Sequence, residues 1–402
     1  MRRGRRQCWK ALDDSSAKCT AGNRKRALIV LAREATPRWS FWGSVATFAI
    51  FPKTQSLILR DLGTRVLAGK EFLRIPKTNP PVSSKAMNTR SLVRICLIAS
   101  CALASSISPA EAKTEKVALS VPSMALPFFT FMSAQANDEA KKLKIDCVIQ
   151  DGEGSSSKQS SDLRDAVTEG LDGVVLDPND EHALVPAVNS TIQSDIPLIT
   201  VDRNVTGTTK PVPHVGADNV AGGKAQADWV IHKFPNGAKI VFLSGEPGAS
   251  AAIDRSNGFN EAIKAAGDKF KVVASQTANF QRGQGMTVTQ NLLTALGTPP
   301  DVIVASNDDM ALGAVSALQQ SGIAKGKVAV VGYDALPDAL RAIRAGDMAA
   351  TIEQSPGKQV RTALDVLVDY IRNKKPMQSV SIAPVVIDSS NLDKAERIDE
   401  AK

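Results

Sequence analysis

The sequence predicts an α/β protein made of two similar doubly wound parallel-sheet lobes, and three observations lead there. From Lys113 onward, short β-type runs alternate with helix-length stretches whose apolar residues recur at i, i+3 and i+4. The runs are apolar throughout rather than alternating, so both faces are buried, as in a parallel sheet covered by helices. There are about ten of them, too many for one comfortable sheet of this length, and the pattern starts twice. A strand ending in a polar loop at Val117–Leu126 is matched by another at Lys239–Ala249.

In chain order the expected strands are Val117–Val121, Ile145–Gln150, Gly173–Leu176, Pro197–Val201 and Val212–Gly216, then Lys239–Ser244, Val272–Gln276, Asp301–Ala305, Lys327–Gly332 and Ala350–Glu353. Most hold Val or Ile and have Gly, Pro or Asp at a boundary. Helical periodicity marks Ala225–Phe234, Ala252–Ala266, Met286–Leu296 and Met310–Gln320. Pro127 occupies a favoured first helical position, so Phe128 and Phe129 open a further helix. Ala217-Asp218-Asn219 reads as a crossing between lobes.

The 402 residues are 43% hydrophobic and 22% charged, an ordinary globular composition, with a formal net charge of +8. That average misleads. Residues 1–86 hold 18 Lys/Arg against 5 Asp/Glu, a net of +13, and residues 87–402 hold 31 against 36, a net of −5. The basic segment opens with Arg2, Arg3, Arg5 and Arg6 and adds Arg24-Lys25-Arg26. Its apolar stretch Trp39–Phe51 is too short to span a bilayer. With no sustained period, residues 1–86 read as a translated upstream region or a disordered extension rather than a basic arm for nucleic acid.

Residues 87–112 have the order of a secretory signal. Met87 starts it, Arg90 and Arg94 form a positive region, Ile95–Ile107 supply the apolar run, and Ala110-Glu111-Ala112 places small residues where a signal peptidase reads. Ile98-Ala99-Ser100-Cys101 weakly resembles a lipoprotein box. Cleavage there would leave almost no apolar run after Arg94, so free export to the periplasm is the expectation. After Ala112 the single cysteine is Cys147, which cannot form an internal disulfide.

In open parallel sheets ligands sit beyond the carboxyl ends of the strands. Those ends carry Leu126-Pro127-Phe128-Phe129, Asp177-Pro178-Asn179 and Asp202-Arg203 in the first half. The second half supplies Arg255, Phe280, Ser306-Asn307-Asp308, Tyr333-Asp334 and Gln354. These are planar polar groups and aromatic rings, with no nucleophile beside a base. They suit a neutral polyhydroxylated ligand, because each hydroxyl both donates and accepts, and the C–H faces of a sugar stack on aromatic rings. Taken singly each has a plainer reading: Phe128 and Phe129 as core, Asp177-Pro178 as a turn, Asn307 or Asp308 as a helix cap, Asp334 as a cap for a helix from Pro337. Their joint placement at successive strand ends carries the argument.

From Lys116 to about Leu392 the chain resembles the periplasmic ribose-binding protein family, the sugar-binding subunits of bacterial ABC importers. The resemblance is carried by Pro127-Phe128-Phe129, Val201-Asp202-Arg203, Asp218-Asn219-Val220-Ala221-Gly222, Arg255, Gln290-Asn291-Leu292-Leu293, Asn307 to Ala314 and Val331-Gly332-Tyr333-Asp334. It implies the periplasmic binding protein type I fold, two lobes joined by a multi-strand hinge: 113–217 with 355–384, and 218–354 with 385–402. It also implies ligand contacts at Phe128, Phe129, Asp177, Asp202, Arg203, Arg255, Phe280, Asn307, Asp334 and Gln354. Two positions depart from the ribose binders, which place Asn where this chain has Leu126 and Asp177. A buried hydroxyl left unpaired by Leu126 would cost roughly 1–3 kcal/mol. A ribose-like pentose, a deoxy sugar, a hexose or a polyol are therefore the candidates.

The implied mechanism is a clamp that closes about crossings near Ala217, Gln354 and Pro384. The partners implied are a monosaccharide, an ABC permease with its ATPase, and a chemoreceptor as a further reader of the closed form. A monomer without cofactor or metal is expected, and no nucleic acid. A sugar-responsive repressor shares the fold, but residues 1–86 lack a compact helix-turn-helix pattern. An enzyme would need chemistry the motifs do not offer. Asp202 and Asp334 could form a glycosidase pair, but Arg203 and Arg255 are expected to hold them ionised, which suits binding better than acid catalysis.

Overall fold

The computed structural model describes residues 113–402. The expected export signal, 87–112, and the basic segment before it lie outside the described residues. The chain forms two six-stranded sheets with helices on both faces. The first contains β1 (Lys116–Val121), β2 (Asp146–Asp151), β3 (Gly173–Leu176), β4 (Leu198–Val201), β5 (His214–Ala217) and β11 (Val380–Ile382), in the order β11-β5-β4-β3-β1-β2. The second contains β6 (Ala238–Ser244), β7 (Phe270–Thr277), β8 (Val302–Ala305), β9 (Ala329–Val331), β10 (Ala350–Glu353) and β12 (Val385–Asp388), in the order β12-β10-β9-β8-β6-β7.

The two orders are the same doubly wound pattern. All pairings are parallel except β10 with β12, which run antiparallel at one edge of the second sheet. The central strands β3, β4 and β8 are buried at every residue, which is why their sequences GVVL, LITV and VIVA show no alternation. The edge strand β7 is mostly exposed despite its valines.

The helices of the first lobe are α1 (Pro127–Leu143), α2 (Ser156–Glu169), α3 (Val185–Gln193) and α9 (Pro356–Asn373). Those of the second are α4 (Asn219–Lys233), α5 (Ser250–Ala265), α6 (Arg282–Leu296), α7 (Asp308–Gln320) and α8 (Pro337–Ala345). Local chemistry sets their starts. Pro127 begins α1, the Ser155 hydroxyl accepts from Lys158 N–H ahead of α2, the Asp218 carboxylate caps α4 through Ala221 N–H, and Asn307 caps α7. Each sheet has an apolar core on either face. In the first lobe α1 and α9 cover one side around Phe129, Met132 and Leu364, and α2 and α3 cover the other around Leu163 and Leu184.

The ten expected strands coincide with observed ones to within two residues at each end. The helices start earlier than periodicity suggests, because their first turns carry capping and small polar residues rather than apolar ones. The sequence reading has no β11 or β12. Three and four residues long, they exist only by pairing with distant β5 and β10. The chain passes between the two sheets at Asp218, at Gln354 and Ser355, and at Ala383 and Pro384.

Candidate functional site

A doubly wound sheet reverses its strand order at one point, leaving a crevice at the strand carboxyl ends. Here that point lies between β1 and β3 in the first sheet and between β6 and β8 in the second. Residues beyond the strand ends of both lobes line one shared cavity: Leu126, Phe128, Phe129, Asp202 and Arg203 from the first lobe, and Ala251, Arg255, Phe280, Asn307, Asp309 and Asp334 from the second, with Gln354 at a crossing. Nine of the ten residues named from sequence are therefore together. Asp177 is the tenth, and it stands behind the wall, fully buried.

The aromatic part is rigid. Phe128 and Phe129 are packed edge to face with centroids 5.2 Å apart, and both also belong to the core. Phe280 comes from the loop after β7 with φ 59°, an uncommon conformation for a bulky residue. Its ring occupies space that only a glycine at 245 leaves free, since a Cβ there would lie 2.1 Å from Phe280 Cζ.

Two buried arginines form the polar floor. The Arg203 guanidinium lies 5.5 Å from the Phe129 centroid and 5.3 Å from that of Phe280, so one ring from each lobe flanks it, and its Nη1 donates to Asn179 O. Arg255 rests 3.6 Å over the Tyr333 ring and donates from Nε to Asn219 Oδ1 and from Nη1 to Ser306 O, each at 2.8 Å. These partners fix the planes of both forks and leave their remaining N–H groups for the cavity.

Asp202 holds φ 57°, anchored by its own N–H to Val215 O, and Asp334 holds φ 110°. Such strain in non-glycine residues is retained where surrounding structure imposes it, commonly at functional sites. The expectation that the arginines keep both carboxyls ionised needs correction at Asp334. Burial pushes Asp202 upward despite Arg255 and Arg203, and it pushes Asp334 up to about 8 although Arg255 Nη1 is 3.7 Å away. Desolvation of a carboxyl shut between two lobes exceeds the attraction of a neighbouring guanidinium. Asp177 is raised well above its ordinary value, by burial and then by the Asp202 charge. A site holding protons on some carboxyls presents O–H donors as well as acceptors, and carries less net charge than its formula suggests.

Asn307 has a double task. Its Oδ1 accepts from Met310 N–H as the cap of α7 and its Nδ2 donates to Phe280 O at 3.1 Å, which leaves one amide hydrogen for the cavity. Gln354 donates to Asp334 Oδ1 at 2.6 Å and is held from behind by Gln359. Asp334 is not the cap of α8, which is preceded by Leu336. Sequence reasoning missed Ala251, which carries no chemical signal, and Asp309, whose carboxylate is held by Arg282 at 2.9 Å. The run Ser306-Asn307-Asp308 pointed one residue short of the latter.

Comparison with known proteins follows the same outline. The profile of the periplasmic binding protein domain matches residues 117–375. The ribose import binding protein of Escherichia coli K12 is 40% identical over 287 residues, covering 70% of this chain and 94% of that one. The crystal structure of the Caulobacter myo-inositol binding protein bound to myo-inositol superposes with a TM-score of 0.70 at 46% identity, covering 71% of this chain and 97% of that one. A solute binding protein from Bacillus halodurans with bound myo-inositol gives 0.67 at 28% identity, covering 71% and 98%.

Proposed function

The chain belongs to the periplasmic binding protein family, and on that footing we propose that it captures one uncharged cyclic polyol or monosaccharide between its lobes and delivers it to an ABC importer. The observation that carries this is the single cavity at the two facing switch points, walled by Phe128 and Phe129 from one lobe and by Phe280 from the other. Asp202, Arg203, Arg255, Asn307, Asp334 and Gln354 supply planar polar groups around it. Closure brings the half-sites together, so the ligand stabilises the closed form through contacts the open form lacks.

Among candidates myo-inositol has the most support. It carries a hydroxyl on each of six ring carbons and no ring oxygen, which suits six planar polar side chains around an aromatic-walled space. Leu126 and Asp177, where ribose binders carry Asn, argue against ribose itself, and identity to the Caulobacter protein bound to myo-inositol is the higher of the two. In this reading the lobes are 113–217 with 355–384 and 218–354 with 385–402, moving about Ala217, Gln354 and Pro384. The permease reads the closed form, and so does any chemoreceptor. The protein starts at Met87, is exported, is cleaved after Ala112 and works as a periplasmic monomer that returns its ligand unchanged.

Calorimetry of the purified protein against myo-inositol, ribose, other pentoses, hexoses and linear polyols tests this. The expected result is a single site with myo-inositol bound most tightly, and a loss of at least about 100-fold in Asp202→Ala and Arg255→Ala, each of which strips a buried polar group from the site. Binding to none of the panel sinks the reading. Sequencing the amino terminus of the protein from the periplasmic fraction should find Lys113 first.

A further inference from the structure

The lobes also meet at a lip that does not line the cavity. The turn at residues 177–183, after β3, faces the loop at residues 245–249, after β6. The Glu181 N–H donates to Gly248 O at 2.9 Å, and the Asn204 N–H donates to the Ser250 hydroxyl at 2.9 Å. Both bonds run from the first lobe to the second, and none of the four residues is among those lining the cavity. Ser250 is buried. Gly248 has φ 87°, and a Cβ built there would lie 2.1 Å from Asp180 Oδ2 across the lip. Asp180 cannot swing aside freely, because its Oδ1 accepts from His182 and Ala183 N–H at 2.8 and 2.7 Å.

We propose that this lip is a closure latch, in which Gly248 and Ser250 are positioning residues that set ligand affinity without touching the ligand. The inference rests on the two-lobe capture reading above. Observed affinity is the intrinsic affinity scaled by the population of the competent form, so each bond made only on closure multiplies affinity. It does so mainly by slowing release. Arg203 and Glu246 span the same lip at 3.6 Å, where burial raises the Glu246 carboxyl against the pull of Arg203. A side chain at 248 would add backbone strain at φ 87° and, in the closed form, would also wedge against Asp180.

The test is calorimetry and stopped-flow binding with myo-inositol and the sugar panel on the wild-type protein and three variants. Ser250→Ala should weaken binding about 2- to 10-fold, the range of one hydrogen bond, with a faster dissociation rate, an almost unchanged association rate and an unchanged melting temperature without ligand. Gly248→Ala should weaken it at least about tenfold. Removing Asp180 as well, in Gly248→Ala/Asp180→Ala, should restore the part of that loss due to the clash, whereas a loss due only to backbone strain at 248 would not be restored. Unchanged affinity in Ser250→Ala and Gly248→Ala, or a double variant no better than Gly248→Ala, overturns the latch while leaving the capture reading intact. If Gly248→Ala fails to fold, Ser250→Ala decides alone. A wild-type protein that binds nothing on the panel overturns both readings.

Discussion

Leu126 shows how one side chain can set which solute fits. Its side chain makes no cap hydrogen bond, yet it lines the cavity with Phe128. Replacing it with Asn offers an amide to a hydroxyl that Leu126 leaves unpaired. In a calorimetric comparison Leu126→Asn should therefore raise affinity for ribose about 2- to 10-fold relative to myo-inositol. A shift in the opposite direction would mean that the apolar contact, and not a missing hydrogen bond, distinguishes this site. The carboxyls teach a complementary lesson. Asp202, Asp334 and Asp177 were legible as polar strand-end residues, but their protonation was not, because it depends on how completely two lobes remove water from them. Charge composition alone favoured the arginines, whereas desolvation favours the protonated acid.

At the scale of elements, the site is assembled from helix starts and strand ends. Asn307 joins the two, capping α7 directly after β8 while holding the Phe280 loop. Asn307→Ala removes the cap and the tie together. It should cost about 1 kcal/mol of stability, read by chemical denaturation, and weaken ligand binding by more than that cap energy alone accounts for. A variant with normal affinity and reduced stability would make Asn307 a cap only. Strand cores were legible because their burial on both faces leaves unbroken apolar runs. Helix starts were less so, since a polar first turn interrupts the apolar period. The last two strands were illegible, being too short to show any period before β5 and β10 supply their partners.

For the whole molecule, the hinge segment carries an acid that links folding to pH. Glu353 ends β10, is buried, and accepts from the N–H groups of Ser355 and Glu396. Glu396 in turn receives the N–H groups of Gly357 and Lys358 at the start of α9. Burial raises the Glu353 carboxyl from 4.5 to about 7 against these hydrogen bonds. A raised acid binds its proton more tightly folded than unfolded, so the stability it contributes is complete below about 4.5 and is lost as pH rises through about 7. Melting temperature followed from pH 4 to 8 should therefore contain a downward component that Glu353→Gln removes. An identical pH profile in the variant would assign that titration elsewhere.

The sequence by itself determined the alternation of buried strands and amphipathic helices, their doubling into two lobes, and the polar and aromatic residue types at the strand ends. These follow from local periodicity and from the chemistry of single residues, which neighbours in the chain suffice to specify. Only the tertiary structure decided which of those residues share one cavity, that Asp177 is buried outside its lining, and that burial raises Asp202 and Asp334 against the arginines. It also decided that Gly248 meets Asp180 across the lip. Each of these depends on distances between residues far apart in the chain, and on water excluded only when both lobes are in place.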